Sequence, residues 1–510
     1  MPAAHAGKWG LLMAIRNPRS LASSPKVRAP LRRPGALTGL TEVRDHSLKG
    51  QNISMAHDND RLASYDQAVK AEFDQIEDLL RDLVAIQHRP DFVAQAQHML
   101  QEHLGFSVPE TLLSNAWVEG LDVKSLAAFC TFETYQRFAN AAIQSQPLAH
   151  PNPEVFQDLL EACGFHWMDI TPCSDGRLAH VIRYVLRLPT HLVRRKSYAG
   201  AVFDIDDNMN KWVEVELGRL RSSAGQVLSD SRYLKIVAYH YSSVDHAHEG
   251  CAAHGSDDEA AANAARDVLH AFQEAVQNSH CCGASIGLMM IGVDTATDRI
   301  KIHLPNADGT LRTECFVSSG DFFMPHQQVD GPLRQKIMAA LEASAPGCSP
   351  GMVQLAAHLM TNNLAQLQLV HDHHGDGYED VGHAERFIGV GVGFEEIQLR
   401  NLMYFAYLKT IEEGATDFAV GMKIFKGLNS QRGLPIPVVI RFDYHGHVPG
   451  ARSRAVARAQ RIAGAITQHY PDEIATGQLH YVQLVRDLDG PTPLEILGGT
   501  INADFGGAHP

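Results

Sequence analysis

The chain has 510 residues, of which 45% are hydrophobic and 20% charged, so it can form roughly two to four domains around large apolar cores. Its longest apolar runs fall short of the ~18 residues of a membrane span, and a secretory signal is missing, which predicts a cytoplasmic protein without a membrane partner. The net charge of −14 argues against nucleic acid as the main partner.

The first 55 residues differ in composition from the rest of the chain. Residues 1–50 carry nine Lys and Arg but only two acidic residues, so the acidic excess lies beyond them. Four prolines between positions 18 and 34 interrupt any helix. We predict a disordered basic arm over 1–55 that docks on an acidic partner surface. The alternatives are an unselected tail or an over-long start assignment, with Met55 as the true start.

Residues 56–150 predict an all-helical domain. Apolar residues recur at helical spacing over Asp58–Val84, Phe92–Leu104 and Leu121–Ser145. The segment contains no recognisable catalytic motif.

Residues 151–397 alternate between strand and helix patterns, which predicts an α/β sheet with ligands at the carboxyl ends of its strands. Cys173 and His240 fall at two such ends. The predicted helices are Pro153–Cys163, Arg177–Leu188, Met209–Ser223 and Asp257–Asn278; the predicted strands are one ending at Thr171, Tyr233–Tyr239, Ser285–Asp294 and Arg299–Leu304.

Residues 398–510 predict a second, smaller α/β domain. No cysteine follows Cys348 in the sequence, so this domain has no metal site of the kind described next. Its predicted elements are helix Leu402–Glu413, strand Ile436–Tyr444, helix Arg452–His469 and strand Gln478–Val485.

The stretch Cys173-Ser-Asp175-Gly-Arg177 carries three side chains that can act together at one metal site. A cysteine thiolate is a zinc ligand, and an aspartate can accept a hydrogen bond beside an open coordination position. An arginine can bind that carboxylate through two hydrogen bonds and hold it ionised. Eight sparse cysteines and 28 histidines are consistent with a metal site rather than a disulfide framework.

A second stretch offers the remaining ligands. His240 closes a predicted strand, and Cys251 follows it after ten residues. We favour His240 because a strand end holds a side chain more firmly than a loop; His248, three residues before Cys251, is the alternative. Two cysteines and one histidine leave the fourth tetrahedral position open, which is typical of catalytic zinc. Zinc would lower the pKa of its bound water, and Asp175 could orient the resulting hydroxide.

Cys-x-Asp-x-Arg followed by His and Cys resembles the β-class carbonic anhydrases. The wider context is similar to the carboxysomal shell carbonic anhydrase family, a divergent (epsilon-class) branch associated with α-carboxysomes, over about residues 60–490. The ten-residue spacing between His240 and Cys251, where ordinary β-class enzymes have two, keeps His248 open. The stretches that carry the resemblance are Asp169–Arg177, Gly250–Ser256, His280–Ile286, Ile291–Asp294, Gly382–Arg386 and Arg432–Pro437.

The resemblance implies one Zn²⁺ per subunit, held by Cys173, His240 and Cys251, with Asp175 and Arg177 as the catalytic dyad. It implies a β-carbonic-anhydrase-like catalytic domain and a degenerate second α/β copy, preceded by the helical domain and the basic arm. The implied reaction interconverts CO2 and bicarbonate.

The resemblance also implies a cellular setting. We expect a homodimer, or a higher assembly of dimers, inside a bacterial carboxysome, where it supplies CO2 to Rubisco. The basic arm would then bind Rubisco or a shell protein. A catalytically inactive scaffolding protein with a vestigial zinc site is the alternative, and the intact Cys173, Asp175 and Arg177 argue against it.

Two further clusters have weaker interpretations. Arg194-Arg195-Lys196 could bind a phosphorylated metabolite, such as a sugar-bisphosphate effector, although a solvated charged face is the simpler interpretation. His371-Asp-His-His374 could bind a second metal, but Gly375 and Gly377 follow directly and favour a polar loop.

Overall fold

The computed structural model describes residues 48–145, 152–222, 233–245, 249–279, 286–378, 384–406 and 411–501. His248 and nearly all of the predicted basic arm lie outside these ranges, although the first helix already begins at Leu48. Across the described ranges, the search for a helix of bilayer-spanning length and hydropathy found none.

The predicted helical region is confirmed. Its helices pack their buried faces, which include Leu83, Ala96 and Leu126, against residues of the C-terminal part of the chain such as Phe387. The rings of Tyr135 and Phe387 meet edge to face at 5.1 Å. The helices are α1 (Leu48–Ile86), α2 (Phe92–Leu104), α3 (Ala116–Glu119) and α4 (Val123–Ser145).

The middle of the chain forms a six-stranded sheet with the order β2-β1-β3-β4-β5-β6, in which β2, β1, β3 and β4 are parallel and the last two strands are antiparallel. Its strands are β1 (Trp167–Pro172), β2 (Val193–Arg195), β3 (Tyr233–Tyr241), β4 (Gly287–Asp294), β5 (Ile300–His303) and β6 (Val317–Ser318). The accompanying helices are α5 (Pro153–Ala162), α6 (Ile205–Ser222), α7 (Asp258–Ser279), α8 (Gly331–Ser344) and α9 (Pro350–His374).

The prediction of a helix over Arg177–Leu188 is wrong. The segment contains a 3-10 turn at Gly176–Leu178 and a π-helical turn at Val181–Val185. Nearly every residue of this segment is buried, so its apolar positions do not mark one face of a regular helix, and tertiary packing decides the backbone instead.

The histidine-rich stretch at His371–His374 is not a loop, as its glycines had suggested, but the last turn of α9. Gly375 follows the helix with a positive φ of 64°, a backbone conformation that glycine adopts more readily than other residues. Histidines are compatible with a last turn because the exposed carbonyls there favour donors.

A second sheet of five strands has the order β11-β10-β9-β7-β8, with only β11 antiparallel. Its first strand in the sequence begins at Phe387, before residue 398, where the sequence predicts that the second domain begins. Its strands are β7 (Phe387–Val392), β8 (Met403–Ala406), β9 (Ile436–Tyr444), β10 (Leu479–Asp487) and β11 (Glu495–Gly499), and its helices are α10 (Ile411–Leu428), α11 (Ala451–His469) and α12 (Pro471–Ala475).

The predicted helix at Leu402–Glu413 is wrong over its first part, because Met403–Ala406 forms edge strand β8. Residues 407–410 lie outside the described residues, and the last three residues begin helix α10. Its central residues Tyr404 and Phe405 are aromatic and favour strands, and short apolar runs do not distinguish the two structures by periodicity. The α/β fold class with two sheets is confirmed, and β8-β7-β9-β10-β11 repeats the order and direction of β2-β1-β3-β4-β5.

Candidate metal centre

Cys173, His240 and Cys251 lie together at one edge of the first sheet. Their sulfur and ring-nitrogen atoms are all within 4.8 Å of one another, and the two sulfurs are 3.9 Å apart. All three side chains are buried, with exposed fractions of 4%, 0% and 1%. The structure therefore brings the three predicted ligands to one point, while His248 lies outside the described residues.

The sheet register explains this convergence. Strands β1 and β3 are parallel neighbours, with Pro172 opposite Ala238, so Cys173 and His240 leave the same edge. The Cys173 amide also donates to the Ala238 carbonyl at 3.1 Å. Cys251 arrives from a loop and is fixed by its own carbonyl, which accepts from the amides of His254 at 2.9 Å and Ser256 at 3.0 Å.

The chemistry of the donor set fits zinc. His240 is completely buried, yet neither of its ring nitrogens makes a hydrogen bond to a described residue. Its nearest charged neighbour is Asp175, whose Oδ2 lies 3.6 Å from His240 Nε2. A buried polar ring without a partner is unfavourable, and a cation coordinated by imidazole and thiolate would satisfy it.

The two thiols influence each other's ionisation. The hydrogen bond with Cys251, together with burial, raises the pKa of Cys173, and the same bond lowers the pKa of Cys251. Because thiolates rather than thiols are metal ligands, binding of a dication at this pair would release thiol protons.

Asp175 and Arg177 form a buried, doubly hydrogen-bonded ion pair. Arg177 Nε donates to Asp175 Oδ1 at 3.0 Å, and its Nη2 donates to Oδ2 at 2.9 Å. The Arg177 amide donates to Asp175 Oδ1 at 2.9 Å as well. Burial opposes the charge of Arg177, but Asp175 outweighs it and raises the guanidinium pKa. The carboxylate is thus held in one orientation beside the three ligands.

Arg177 also connects the two halves of the site. Its Nη1 donates to the Glu249 carbonyl at 2.7 Å and its Nη2 to the Gly250 carbonyl at 3.4 Å. These carbonyls directly precede Cys251, so the guanidinium that orients Asp175 also anchors the ligand loop.

Residues near the start of the C-terminal part approach this site, and the motif analysis missed their role. Glu385 accepts a hydrogen bond from the Gly176 amide at 3.1 Å, between Asp175 and Arg177. Its only sequence signal was the family-like stretch Gly382–Arg386, which says nothing of a contact made across more than 200 residues.

The charges of the Arg194–Lys196 stretch are largely paired. Arg194 contacts the carboxylates of Asp169 and Asp207, and Lys196 also contacts Asp207. Arg195 donates to the Ala179 carbonyl at 2.8 Å. The stretch lines a cavity of about 570 Å³, but its two neutralised cations offer little free charge to a phosphate.

Two other groups of possible ligands occur in the described part of the chain. His371 and Asp372 lie within 4.8 Å of His326, but Gln368 Nε2 contacts His326 Nδ1 at 3.2 Å and donates to Asp372 Oδ1 at 2.7 Å. The second group consists of the exposed residues His445, His447 and Asp489. Unlike His240, Asp372 and His326 already have partners, and the second group is solvated.

Comparisons with known families cover almost the whole described chain. The model for the N-terminal domain of carboxysome shell carbonic anhydrase matches residues 52–143. The models for the catalytic and C-terminal domains of the same family match residues 155–383 and 384–501.

Curated relatives agree with these matches. A carboxysome shell carbonic anhydrase from Parasynechococcus marenigrum WH8102 is 47% identical over 459 residues, covering 88% of this chain and 79% of the relative. One from Prochlorococcus marinus MIT 9313 is 43% identical over 517 residues, covering 98% and 100%. One from Halothiobacillus neapolitanus is 39% identical over 455 residues, covering 86% and 88%. The chain therefore belongs to the carboxysome shell carbonic anhydrase family.

Proposed function

We propose that the chain is a zinc-dependent carbonic anhydrase that interconverts CO2 and bicarbonate inside the carboxysome and supplies CO2 to Rubisco. The observation that carries the proposal is the buried imidazole of His240, which lies beside two thiols and whose ring nitrogens make no hydrogen bond with a described residue. Cys173, His240 and Cys251 would hold one zinc ion per chain. When bound, zinc supplies a Lewis acid that lowers the pKa of a water in the open fourth position.

Asp175 performs the orienting role in this proposal. Its carboxylate borders the donor set, 3.6 Å from His240 Nε2, and is acceptor-only while ionised. It can accept a hydrogen bond from the O–H of the nucleophile and so direct an oxygen lone pair at CO2. Arg177 donates to both carboxylate oxygens and keeps the aspartate from turning away.

Substitution of Asp175 by Asn tests this role without removing a ligand. We expect kcat/KM for CO2 to fall by about 100-fold, because an amide has a single acceptor oxygen and its NH2 group donates, while zinc content stays at one ion per chain. The control is Asp308→Asn on an exposed turn, for which we expect parental activity. Parental kcat/KM in zinc-loaded Asp175→Asn would contradict the orienting role.

The basic arm is our candidate for recruitment to Rubisco or a shell protein. Its nine cations contrast with the acidic remainder of the chain, and the relatives are named as carboxysome shell proteins. Deletion of residues 1–50 should abolish co-purification with carboxysomes and leave CO2 hydration unchanged. Retained co-purification would contradict the proposal. A homodimer, as the family resemblance implies, would double the mass measured by light scattering.

A phosphorylated effector at the Arg194–Lys196 cavity is a secondary proposal. The cavity is large enough for a sugar bisphosphate, but most of its positive charge is paired. Ribulose bisphosphate at millimolar concentration should raise the melting temperature if the site is real; an unchanged melting temperature would argue against it.

A further inference from the structure

We propose that the C-terminal part of the chain positions the catalytic loop Ser174–Arg177, and that Glu385 is its central positioning residue. The inference rests on the proposed roles of Asp175 and Arg177. The C-terminal part of the chain supplies no metal ligand, but under this proposal it directly sets the geometry of the catalytic residues.

The peptide groups of Gly176 are held on both sides by C-terminal residues. The Gly176 amide donates to Glu385 Oε1 at 3.1 Å, and the Gly176 carbonyl accepts from the Asn401 amide at 2.9 Å. Gly176 separates Asp175 from Arg177 in the chain. Its backbone therefore sets the relative placement of the two side chains that form the catalytic ion pair.

The same C-terminal segment also holds the two ends of the loop. The Phe405 amide, from edge strand β8, donates to the Ser174 carbonyl at 3.0 Å. Arg400 Nη1 donates to the Arg177 carbonyl at 3.4 Å, while its Nη2 donates to the Thr295 carbonyl at 2.8 Å. Contacts from the C-terminal part thus reach the loop at three of its four positions, Ser174, Gly176 and Arg177, on both sides of Asp175.

Close packing explains why a glycine stands between the two catalytic residues. A Cβ atom built on Gly176 would lie only 2.4 Å from Glu385 Cγ and 2.7 Å from Oε1. Glu385 is 4% exposed and has little room to withdraw. The absence of a side chain at position 176 is what allows the carboxylate to reach the amide.

Electrostatics act in the same direction. Glu385 is one of the carboxylates, after Asp175, that raise the pKa of buried Arg177. Removing Glu385 therefore loosens the backbone between the dyad residues and leaves the guanidinium with less opposing charge. The proposal assigns the placement of Asp175 to the hydrogen bond with Gly176, to which this charge is a lesser addition, and neither effect removes a metal ligand.

Two substitutions at position 385 test the assignment. Glu385→Gln keeps an amide oxygen that can accept from Gly176, so we expect kcat/KM for CO2 within about 3-fold of the parent. Glu385→Ala removes the acceptor, and we expect kcat/KM to fall by about 10- to 100-fold at unchanged zinc content, since small misplacements of catalytic groups have effects of this size. The control is Glu473→Ala, which removes a carboxylate from the surface ion pair with Lys426 in the C-terminal part of the chain. It should leave kcat/KM unchanged.

A double-mutant cycle separates local geometry from general destabilisation. Gly176→Ala alone introduces the clash and should lower kcat/KM. In the Glu385→Ala background the clashing Cγ and Oε1 atoms are gone, so the added methyl should cost much less. Strictly multiplicative losses would overturn the proposal, because they would mean that the two residues act independently.

The outcomes distinguish this inference from the proposed function. A zinc-loaded parent without CO2 hydration would overturn both. An active parent with Glu385→Ala equal to it would overturn only the positioning role. Loss of zinc in Glu385→Ala, or a loss in Glu385→Gln as large as in Glu385→Ala, would also overturn it, because the effect would then lie in metal retention or charge rather than in the hydrogen bond to Gly176.

Discussion

The two sheets share a strand order but treat their equivalent positions in opposite ways. His240 is the penultimate residue of the nine-residue strand β3, and Asp443 is the penultimate residue of the nine-residue strand β9. In each sheet this strand lies beside the strand that comes first in the sequence: β3 is next to β1, and β9 is next to β7. At the first position the ring nitrogens of His240 make no hydrogen bond with a described residue, and Asp175 lies 3.6 Å away. At the second position both carboxylate oxygens of Asp443 accept from Arg441.

The corresponding edge of the second sheet contains a buried cluster of charged residues. Arg441 is completely buried and donates to both Asp443 oxygens at 2.7 Å. It also contacts Glu396 and donates to the Tyr135 hydroxyl of helix α4 at 2.9 Å. Polar atoms there satisfy one another and join the helical region to the sheet. At this edge the buried charges of Arg441, Asp443 and Glu396 are paired with one another, whereas at the edge of the first sheet the ring nitrogens of His240 make no hydrogen bond with a described residue.

The largest expected effect comes from removing the His240 side chain at the edge of the first sheet. His240→Ala removes one of three proposed ligands, so zinc should be lost and CO2 hydration should fall by at least about 10⁴-fold. Asp443→Asn is its position-matched control in β9 and should keep both zinc and kcat/KM. Metal analysis and stopped-flow hydration measure the pair. Full activity in His240→Ala would remove the histidine from the site and restore His248 as the candidate.

Removing the Arg441 charge at the edge of the second sheet should lower the stability of the fold and leave metal binding intact. Arg441→Met leaves the carboxylates of Glu396 and Asp443 buried without their cation, which we expect to lower the free energy of unfolding by about 3 to 5 kcal/mol. Urea denaturation measures the change, and zinc binding by the folded fraction should persist. A loss below about 1 kcal/mol would show that the cluster is not the structural counterpart of the metal site.

A buried carboxylate between the two parts gives a pH-dependent prediction. Burial raises the pKa of Asp417, which accepts from the Ala199 amide at 3.0 Å, from 3.8 to about 7. The folded state holds the Asp417 proton more tightly than the unfolded state does, and this difference contributes to the free energy of unfolding. The contribution is fully present below about pH 4 and is lost as the pH rises through 7. Asp417→Asn should therefore gain roughly 1 to 3 kcal/mol relative to the parent between pH 5 and pH 8. A stability difference that does not change with pH would contradict the raised pKa.

The smallest expected effect is on the stability of the metal-free protein. His240→Leu replaces a buried, unpartnered ring with an apolar side chain of similar size, so its free energy of unfolding without zinc should stay within about 1 kcal/mol of the parent. With zinc present, only the parent should be stabilised further. A large loss in the metal-free variant would mean that His240 is a structural residue after all.

The sequence predicts the parts of this molecule that local spacing determines. Cys173, His240 and Cys251 could be proposed because parallel strands end at one edge, and the amphipathic helices of the N-terminal region follow their periodicity. The predictions failed at Arg177–Leu188 and at Met403–Ala406 because the residues there are largely buried, and a buried apolar run does not distinguish helix, strand and irregular turn. Glu385 could not be found from spacing, since its role depends on a fold that brings it to Gly176 from more than 200 residues away.

The central claim is that Cys173, His240 and Cys251 hold the zinc that hydrates CO2. Stopped-flow CO2 hydration with zinc content determined on the same samples, for the parent and for Cys173→Ala, tests it most directly. We expect one zinc per chain and rapid hydration in the parent, and neither in the variant. A zinc-loaded parent that does not hydrate CO2 would contradict the account and favour a scaffolding protein with a vestigial metal site.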